Sequence, residues 1–304
     1  SSDSMTRTER TDNRTKVSYS QYSIWAGCPQ NWKLQYIDGH KDDSDSIHTV
    51  FGTAMHEVLQ DWLTLLYSGK ENLARSMDLD DAFKDKLREG FQNSIVIQED
   101  GTKKYVCTKA ELEKFFTQGT QILSYVQSNY KKLFPHQNVE LVGVEYPLVI
   151  EVRPGIWYTG YIDILTRNTK TGKMVIYDLK TSRRGWTQKE KTDKVKLSQL
   201  LLYKKFVSET MNVPLEDISV EYIILKRELI ENSMYPIPRV SSFQPSHGKP
   251  SVNNAWIGFQ RFLDECFTPD AQRTADKVKP APSKETCRWC KFRTQKDLCP
   301  DGIG

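Results

Sequence analysis

The amino-acid sequence predicts a single mixed α/β domain with a central mixed sheet flanked by helices. Three observations predict it. Helical spacing dominates up to residue 133, the period then shortens to two across three β-branched and aromatic runs, and helical spacing returns on either side of one further strand. At 304 residues, 38% hydrophobic and 27% charged, the chain has the composition of an ordinary folded domain of this size.

Residues 1–16 are polar and lack the apolar core of a signal peptide, so they are expected to form a disordered tail ahead of one domain spanning 17–304. In 17–36, "VSYSQYSIWAGCPQNWKLQY", a short helix capped by Ser18 or Ser20 leads to Cys28-Pro29 and an aromatic-rich turn. "TVFGTAMHEVLQDWLTLLY" places Met55, Leu59, Trp62 and Leu66 on one helical face. Helices follow over 80–93 and 109–133. The runs "VGVEYPLVIEV", "WYTGYIDILTR" and "MVIYDLKT" read as strands, separated by the turns "RPG" and "NTKTG". A helix over 193–209, a strand in "SVEYIILKR" and a helix over 254–267 complete the pattern. "SSFQPSHGKPSVNN" reads as a flexible loop, and "TPDAQRTADKVKPAPSKET" as a linker to the last cysteines.

Composition also narrows the function. The net charge of +4, from 43 basic and 39 acidic residues, permits binding to a polyanion without demanding it. Distribution says more: Lys180, Arg183, Arg184, Lys189, Lys191, Lys194 and Lys196 surround Trp186, against only Glu190 and Asp193. A membrane span is not expected, because no run approaches the ~18 consecutive apolar residues one requires. With no secretion signal, a cytoplasmic or otherwise intracellular protein is expected. The Gly-Lys pairs at 69, 172 and 248 are followed by Glu, Met and Pro, so no phosphate-binding loop of the ATPase type is present. Six cysteines in a chain of this size, three of them in "CRWCKFRTQKDLC", favour metal or cluster ligation over disulfides.

The chemistry concentrates in one predicted hairpin. If it turns between Lys170 and Thr171, residues pair when their numbers sum to 341, which sets Asp163 opposite Asp178. Like charges facing each other in a sheet are destabilising unless something offsets them. Lys180 returns to the face of Asp178 by the period of two. Two acids and a lysine on one spot suit Mg²⁺ or Mn²⁺, although a plain surface ion-pair hairpin has the same pattern.

"GYIDIL" followed by "VIYDLKT" resembles the Asp…(Asp/Glu)-X-Lys signature of the PD-(D/E)XK nucleases and of their RecB-like branch. "GTAMHEVL" resembles that branch's Gly-x-x-x-His helix, and "QLLLY" its Gln-x-x-x-Tyr helix. The resemblance covers 52–205 and implies a restriction-endonuclease-like core. It implies that His56, Asp163, Asp178 and the backbone carbonyl of Leu179 hold one or two Mg²⁺ or Mn²⁺ ions. It implies catalytic roles for Asp163, Asp178 and Lys180, with Gln199 and Tyr203 lining the site. Glu145 matches loosely as one more acid, or is an ordinary strand glutamate.

One subgroup of that branch, with AddB-type nucleases, CRISPR adaptation nucleases and single-strand DNA exonucleases, carries one cysteine before the nuclease motifs and three after them. Similarity to it implies a [4Fe-4S] cluster on Cys28, Cys287, Cys290 and Cys299. Zn²⁺ is the alternative, and Cys107 and Cys266 are weaker candidates for the fourth ligand. The implied activity is a metal-dependent, single-strand DNA exonuclease tilted towards 5′ to 3′ degradation, in repair, recombination or phage DNA metabolism. Single-stranded DNA is then the expected partner, gripped by Arg183, Arg184, Trp186, Lys189, Lys191, Lys194 and Lys196, with a helicase or single-strand-binding protein as a second chain. The rivals are a nuclease subunit of a larger helicase–nuclease or CRISPR adaptation complex, and a non-catalytic, metal-stapled DNA-binding module.

Overall fold

The computed structural model describes residues 14–41, 45–231, 234–288 and 290–303. Residues 1–13 of the expected tail lie outside these, but its end is ordered. Thr15–Val17 form strand β1, which runs parallel to residues 156–158. A backbone bond from Thr15 N–H to Gly155 O and the Arg14 guanidinium, 3.9 Å from the Trp157 ring, hold it there.

Helix α1, Tyr19–Gly27, starts at Ser18, whose hydroxyl accepts from the Gln21 N–H. Where the sequence pattern predicts an aromatic turn, Pro29–Tyr36 form a second helix, α2. Proline is well placed at its first position, where an N–H has no helical partner, and burial of Trp32 and Leu34 outweighs the weak local propensity. Helix α3, Ile47–Tyr67, begins with a Ser46/Thr49 capping box. The short α4 (Glu71–Ser76), α5 (Leu79–Asn93), the small ribbon β2 (Val96–Ile97) with β3 (Lys103–Lys104), and α6 (Lys109–Leu133) complete the first half.

The second half holds the sheet: β4 (Val139–Arg153), β5 (Ile156–Asn168) and β6 (Met174–Ser182), then α7 (Gln188–Lys191) and α8 (Lys194–Met211), then β7 (Ile218–Lys226), β8 (Val240–Phe243) and α9 (Lys249–Cys266). The last helical turn is α10, Lys284–Cys287. The predicted flexible loop is a correction: its start is strand β8 and its end opens α9, leaving residues 244–248 as the connection. Pairing of β8 with β7 satisfies backbone groups that a free loop would leave to water.

Six strands form one mixed sheet. β4 and β5 run antiparallel over their length, β5 and β6 are antiparallel, and β6 and β7 are parallel, joined by the α8 crossover. Pairs between β5 and β6 do sum to 341, but hydrogen-bonded pairing ends at Ile164–Tyr177. Because β4 occupies one edge of β5, β6 and β1 share the other, and the sheet forks just beyond Ile164.

Each face of the sheet carries its own core. Ile162, Leu165, Ile176, Tyr222 and Ile224 pack with α1, α8 and α9. Ile164, Tyr177, Leu179, Ile223 and Leu225 pack with α3, α5 and α6. The fork is therefore a place where side chains from both layers can meet.

Candidate active site

Asp163 heads one prong of the fork and Asp178 the other. The Leu179 N–H donates to Asp163 Oδ2 at 2.8 Å, so the backbone of β6 bridges the gap where the ladder stops. This bond locates the Leu179 amide; its side chain is buried in the α3 core.

From the α3 side comes His56. Its Nδ1 lies 2.7 Å from Gly52 O, one helical turn back, and its Nε2 lies 3.3 Å from Asp163 Oδ2. Donation from Nδ1–H to the carbonyl turns the Nε2 lone pair of a neutral ring towards a carboxylate. Two acceptors facing each other need a proton or a cation between them. In the protein alone a proton serves. Burial pulls the His56 pKa down, but hydrogen bonding to Asp163, its charge, the Gly52 carbonyl and Asp178 lift it to about 9.

From the α8 side come Gln199 and Tyr203, one turn apart. Lys180 Nζ donates to Gln199 Oε1 at 3.0 Å, and Gln199 Nε2 lies 3.5 Å from the Tyr203 hydroxyl. Gly160 lets Tyr203 approach β5, since a Cβ there would stand 3.0 Å from its hydroxyl. Lys180 Nζ also lies 2.9 Å from Asp178 Oδ2, so the buried carboxylate is ion-paired with the lysine. Asp178 is only 4% exposed. Burial raises its pKa, Lys180 opposes this, Asp163 adds to it, and the result is about 6. For Lys180, burial lowers the pKa but Asp178 and Asp163 together raise it, so it is an ammonium at neutral pH.

Sequence reasoning missed Gln60, a buried residue of α3. Its Nε2 donates to Glu145 Oε1 at 3.0 Å and to Asp163 O at 3.1 Å. Glu145 stands opposite Asp163 in the β4–β5 register but adopts φ of +46°, an uncommon backbone for a glutamate. Its local strain turns a strand residue towards α3. A glutamine four residues after His56, on the same helical face, was the available signal.

Among the described residues, no group of three or more His, Cys, Asp or Glu stands at the spacing of a metal site. The donors nevertheless fit a hard divalent cation: two carboxylates, one of them buried, and an imidazole with its far nitrogen anchored. His56, Asp163 and Asp178 would hold such an ion.

Several of the expected strand-guiding residues make local contacts of their own. Trp186 is packed, with ring centroids 4.7 Å from Tyr222 and 6.0 Å from Phe243, so it is not an open stacking platform. Lys196 lies over Trp186 and pairs with Glu190, and Lys191 lies over Phe243. Arg183 and Arg184 instead turn towards Glu228 after β7.

At the far end, Cys28, Cys287, Cys290 and Cys299 line one small cavity with Leu34 and Phe292. Burial raises the Cys299 thiol pKa, and the nearby Cys28, Cys290 and Cys287 raise it further. The rivals sit elsewhere: Cys266 is buried in the α9 core and Cys107 packs beside α6. All six cysteines are free thiols.

A family model for the PD-(D/E)XK nuclease superfamily matches residues 16–300. No curated protein matches the chain.

Proposed function

The chain belongs to the PD-(D/E)XK nuclease superfamily, and from this premise we propose that it is a Mg²⁺- or Mn²⁺-dependent exonuclease acting on single-stranded DNA. The observation that supports it best is the fork, where an imidazole, two carboxylates and a lysine from three elements meet in a mostly buried, polar pocket. An inert hairpin would have little reason to bury Asp178 beside a second carboxylate, whose charge pushes its pKa further up.

A divalent ion held by His56, Asp163 and Asp178 would acidify the attacking water and offset charge on the phosphate. The protein supplies the rest. Leu179 N–H fixes the rotamer of Asp163, and Gly52 O fixes the ring of His56. Lys180, held by Gln199 and Asp178, presents an ammonium to the charge that develops on the scissile phosphate. Its raised pKa favours this electrostatic role over proton abstraction. Gln60 couples Glu145 to the backbone of Asp163, which makes Glu145 a positioning acid beside the cation.

The same reading assigns the four cysteines that line one cavity to a [4Fe-4S] cluster, or Zn²⁺ in its place, which would join the segment after α1 to the C-terminal segment. Such a staple closes a loop of about 260 residues. Iron, sulfide and zinc analysis of anaerobically purified protein distinguishes the two. The preference for 5′ to 3′ degradation, for free ends and for a helicase or single-strand-binding partner belongs to the same reading. It is tested by following 5′- and 3′-labelled linear single strands beside circular ones with Mg²⁺ or Mn²⁺, with EDTA and Asp178→Ala as controls. Metal-dependent shortening from one end of linear strands, with circles intact, is expected. No metal-dependent cleavage by the folded, fully loaded protein would overturn it.

A further inference from the structure

A second cavity lies away from the fork. It has a volume of about 840 Å³ and lies where β6 and β7 end. Lys114, Arg184, Arg227 and Arg239 contribute four cations to its wall, against the two acids Glu228 and Glu231. The backbone ladder continues into it: Arg227 N–H donates to Ser182 O and Glu228 N–H to Arg183 O. Ser182 is two residues past Lys180, about 7 Å along an extended strand.

Its cations fall into two sets. Arg184 and Lys114 lie 3.8 and 3.9 Å from the Glu228 carboxylate, which Arg183, outside the wall, also approaches at 2.5 Å. Arg227 and Arg239 have no acid at ion-pairing distance among the described residues, although Arg227 is buried and Arg239 half-buried. Neighbours hold them in place. Arg227 is 9% exposed, donates to Gln118 Oε1 at 3.1 Å and lies 4.5 Å above the Phe115 ring. Arg239 donates to the Lys226 and Arg227 carbonyls at 3.2 and 2.8 Å. A desolvated guanidinium without a counter-ion is costly, and a fixed planar one is the preferred partner of a phosphate. Residues of α6 line the cavity, and α6 shares its core with α3, the helix that carries His56.

We propose that this cavity is a phosphate clamp: Arg227 and Arg239 bind a backbone phosphate of the DNA strand whose neighbouring bond lies at the fork. The proposal rests on the nuclease reading and adds the place where the strand is held. The same chemistry would take an internal phosphodiester or a 5′-terminal phosphate.

The test measures binding of a fluorescent single-stranded oligonucleotide, with and without a 5′-phosphate, in EDTA across a salt series. Proteins are the full-length wild type, Arg239→Gln, Arg227→Gln and, as an equal charge loss elsewhere, Lys84→Gln. Expected is about tenfold weaker binding for each arginine variant, with the salt slope smaller by about one, and no change for Lys84→Gln. Under cleavage conditions KM should rise with kcat nearly kept. Loss confined to the phosphorylated oligonucleotide identifies a terminal phosphate as the ligand, and equal loss identifies an internal one. Because Arg227→Gln also loses the Gln118 bond and Arg239→Gln its two carbonyl bonds, melting curves on both variants guard against misfolding. Unchanged affinity and slope in folded Arg239→Gln and Arg227→Gln, in a wild type that binds and cleaves DNA, overturn the clamp alone. A wild type that neither binds nor cleaves DNA overturns the clamp and the nuclease reading together.

Discussion

The fork and the four-cysteine cavity are both clusters of potential ligands, yet they are built in opposite ways. At the fork, long regular elements bring the residues together: β5, β6, α3 and α8 each have a core face, and backbone groups of Gly52 and Leu179 set the side chains. The cysteines sit on a four-residue helical turn and irregular chain, over a small core of Leu34, Phe292 and Cys299. The fold holds the first site before any ion arrives. The second set of residues has only this small core to place it.

Breaking the fork should therefore cost activity and little stability. Asp178→Ala removes a carboxylate whose burial is unfavourable, so cleavage should fall by about 10²–10³-fold, the scale of losing one preorganised electrostatic group, while the melting temperature changes little. Turnover with Mn²⁺ and a melting curve on the same sample check both halves. Equal turnover in wild type and variant would remove Asp178 from the chemistry.

Breaking the cysteine site should do the reverse. Cys290→Ser or Cys299→Ser should lose the bound iron or zinc and lower stability by up to about 5 kcal/mol, the entropy of closing so long a loop. Limited proteolysis should then cut first in residues 268–303, and Mn²⁺ binding at the fork should survive. Loss of Mn²⁺ binding in a variant that still melts cooperatively would mean the two sites are not separable.

Much of this difference is legible in the sequence. The strand periods and the "NTKTG" turn set the β5–β6 register as far as Ile164–Tyr177, and beyond it the Leu179 amide, not a ladder pair, joins Asp163 to β6. Other features depend on contacts distant in sequence. Helix α2 is stabilised by burial of Trp32 and Leu34 rather than by propensity. The Lys180–Lys196 run reads as one basic ribbon because its charges are local, yet Trp186 is drawn into packing by Tyr222 and Phe243. The richest basic cavity draws Lys114, Arg227 and Arg239 from three separate parts of the chain, and no local window contains them. Glu145 turns inward through its positive φ, which strand alternation does not encode.

A titration sharpens the comparison from the fork's side. Binding an ion there must displace the His56 proton, whose pKa is raised to about 9 because Asp163, Gly52 O and Asp178 outweigh burial. Below that pH, apparent Mn²⁺ affinity should weaken by close to tenfold per unit, about 100-fold between pH 8.5 and 6.5, and level off above 9. For folding without metal the sign is opposite. The raised pKa lends stability that is fully present below the ordinary histidine value and is lost as pH rises through about 9. His56→Gln should flatten this part of the titration; an unchanged pH slope would assign the proton to another group.

The smallest expected effect tests whether α3 is held to the fork by the core behind it. Gly119 on α6 packs where a Cβ would lie 2.2 Å from Phe83 and 3.2 Å from Phe51, and Phe51 precedes Gly52, the residue that anchors His56. Gly119→Ala gains helix propensity of about 1 kcal/mol but must displace the Phe83 ring, an overpacking cost of about 1–3 kcal/mol. The net is a destabilisation of up to about 2 kcal/mol by denaturant melting. If the strain stays between α5 and α6, Mn²⁺ affinity is unchanged. If it passes through Phe51, affinity falls with stability, because a shift of α3 separates His56 from Asp163. Retained affinity in the destabilised variant would show that the Gly52 and Leu179 backbone bonds alone are enough to set the fork.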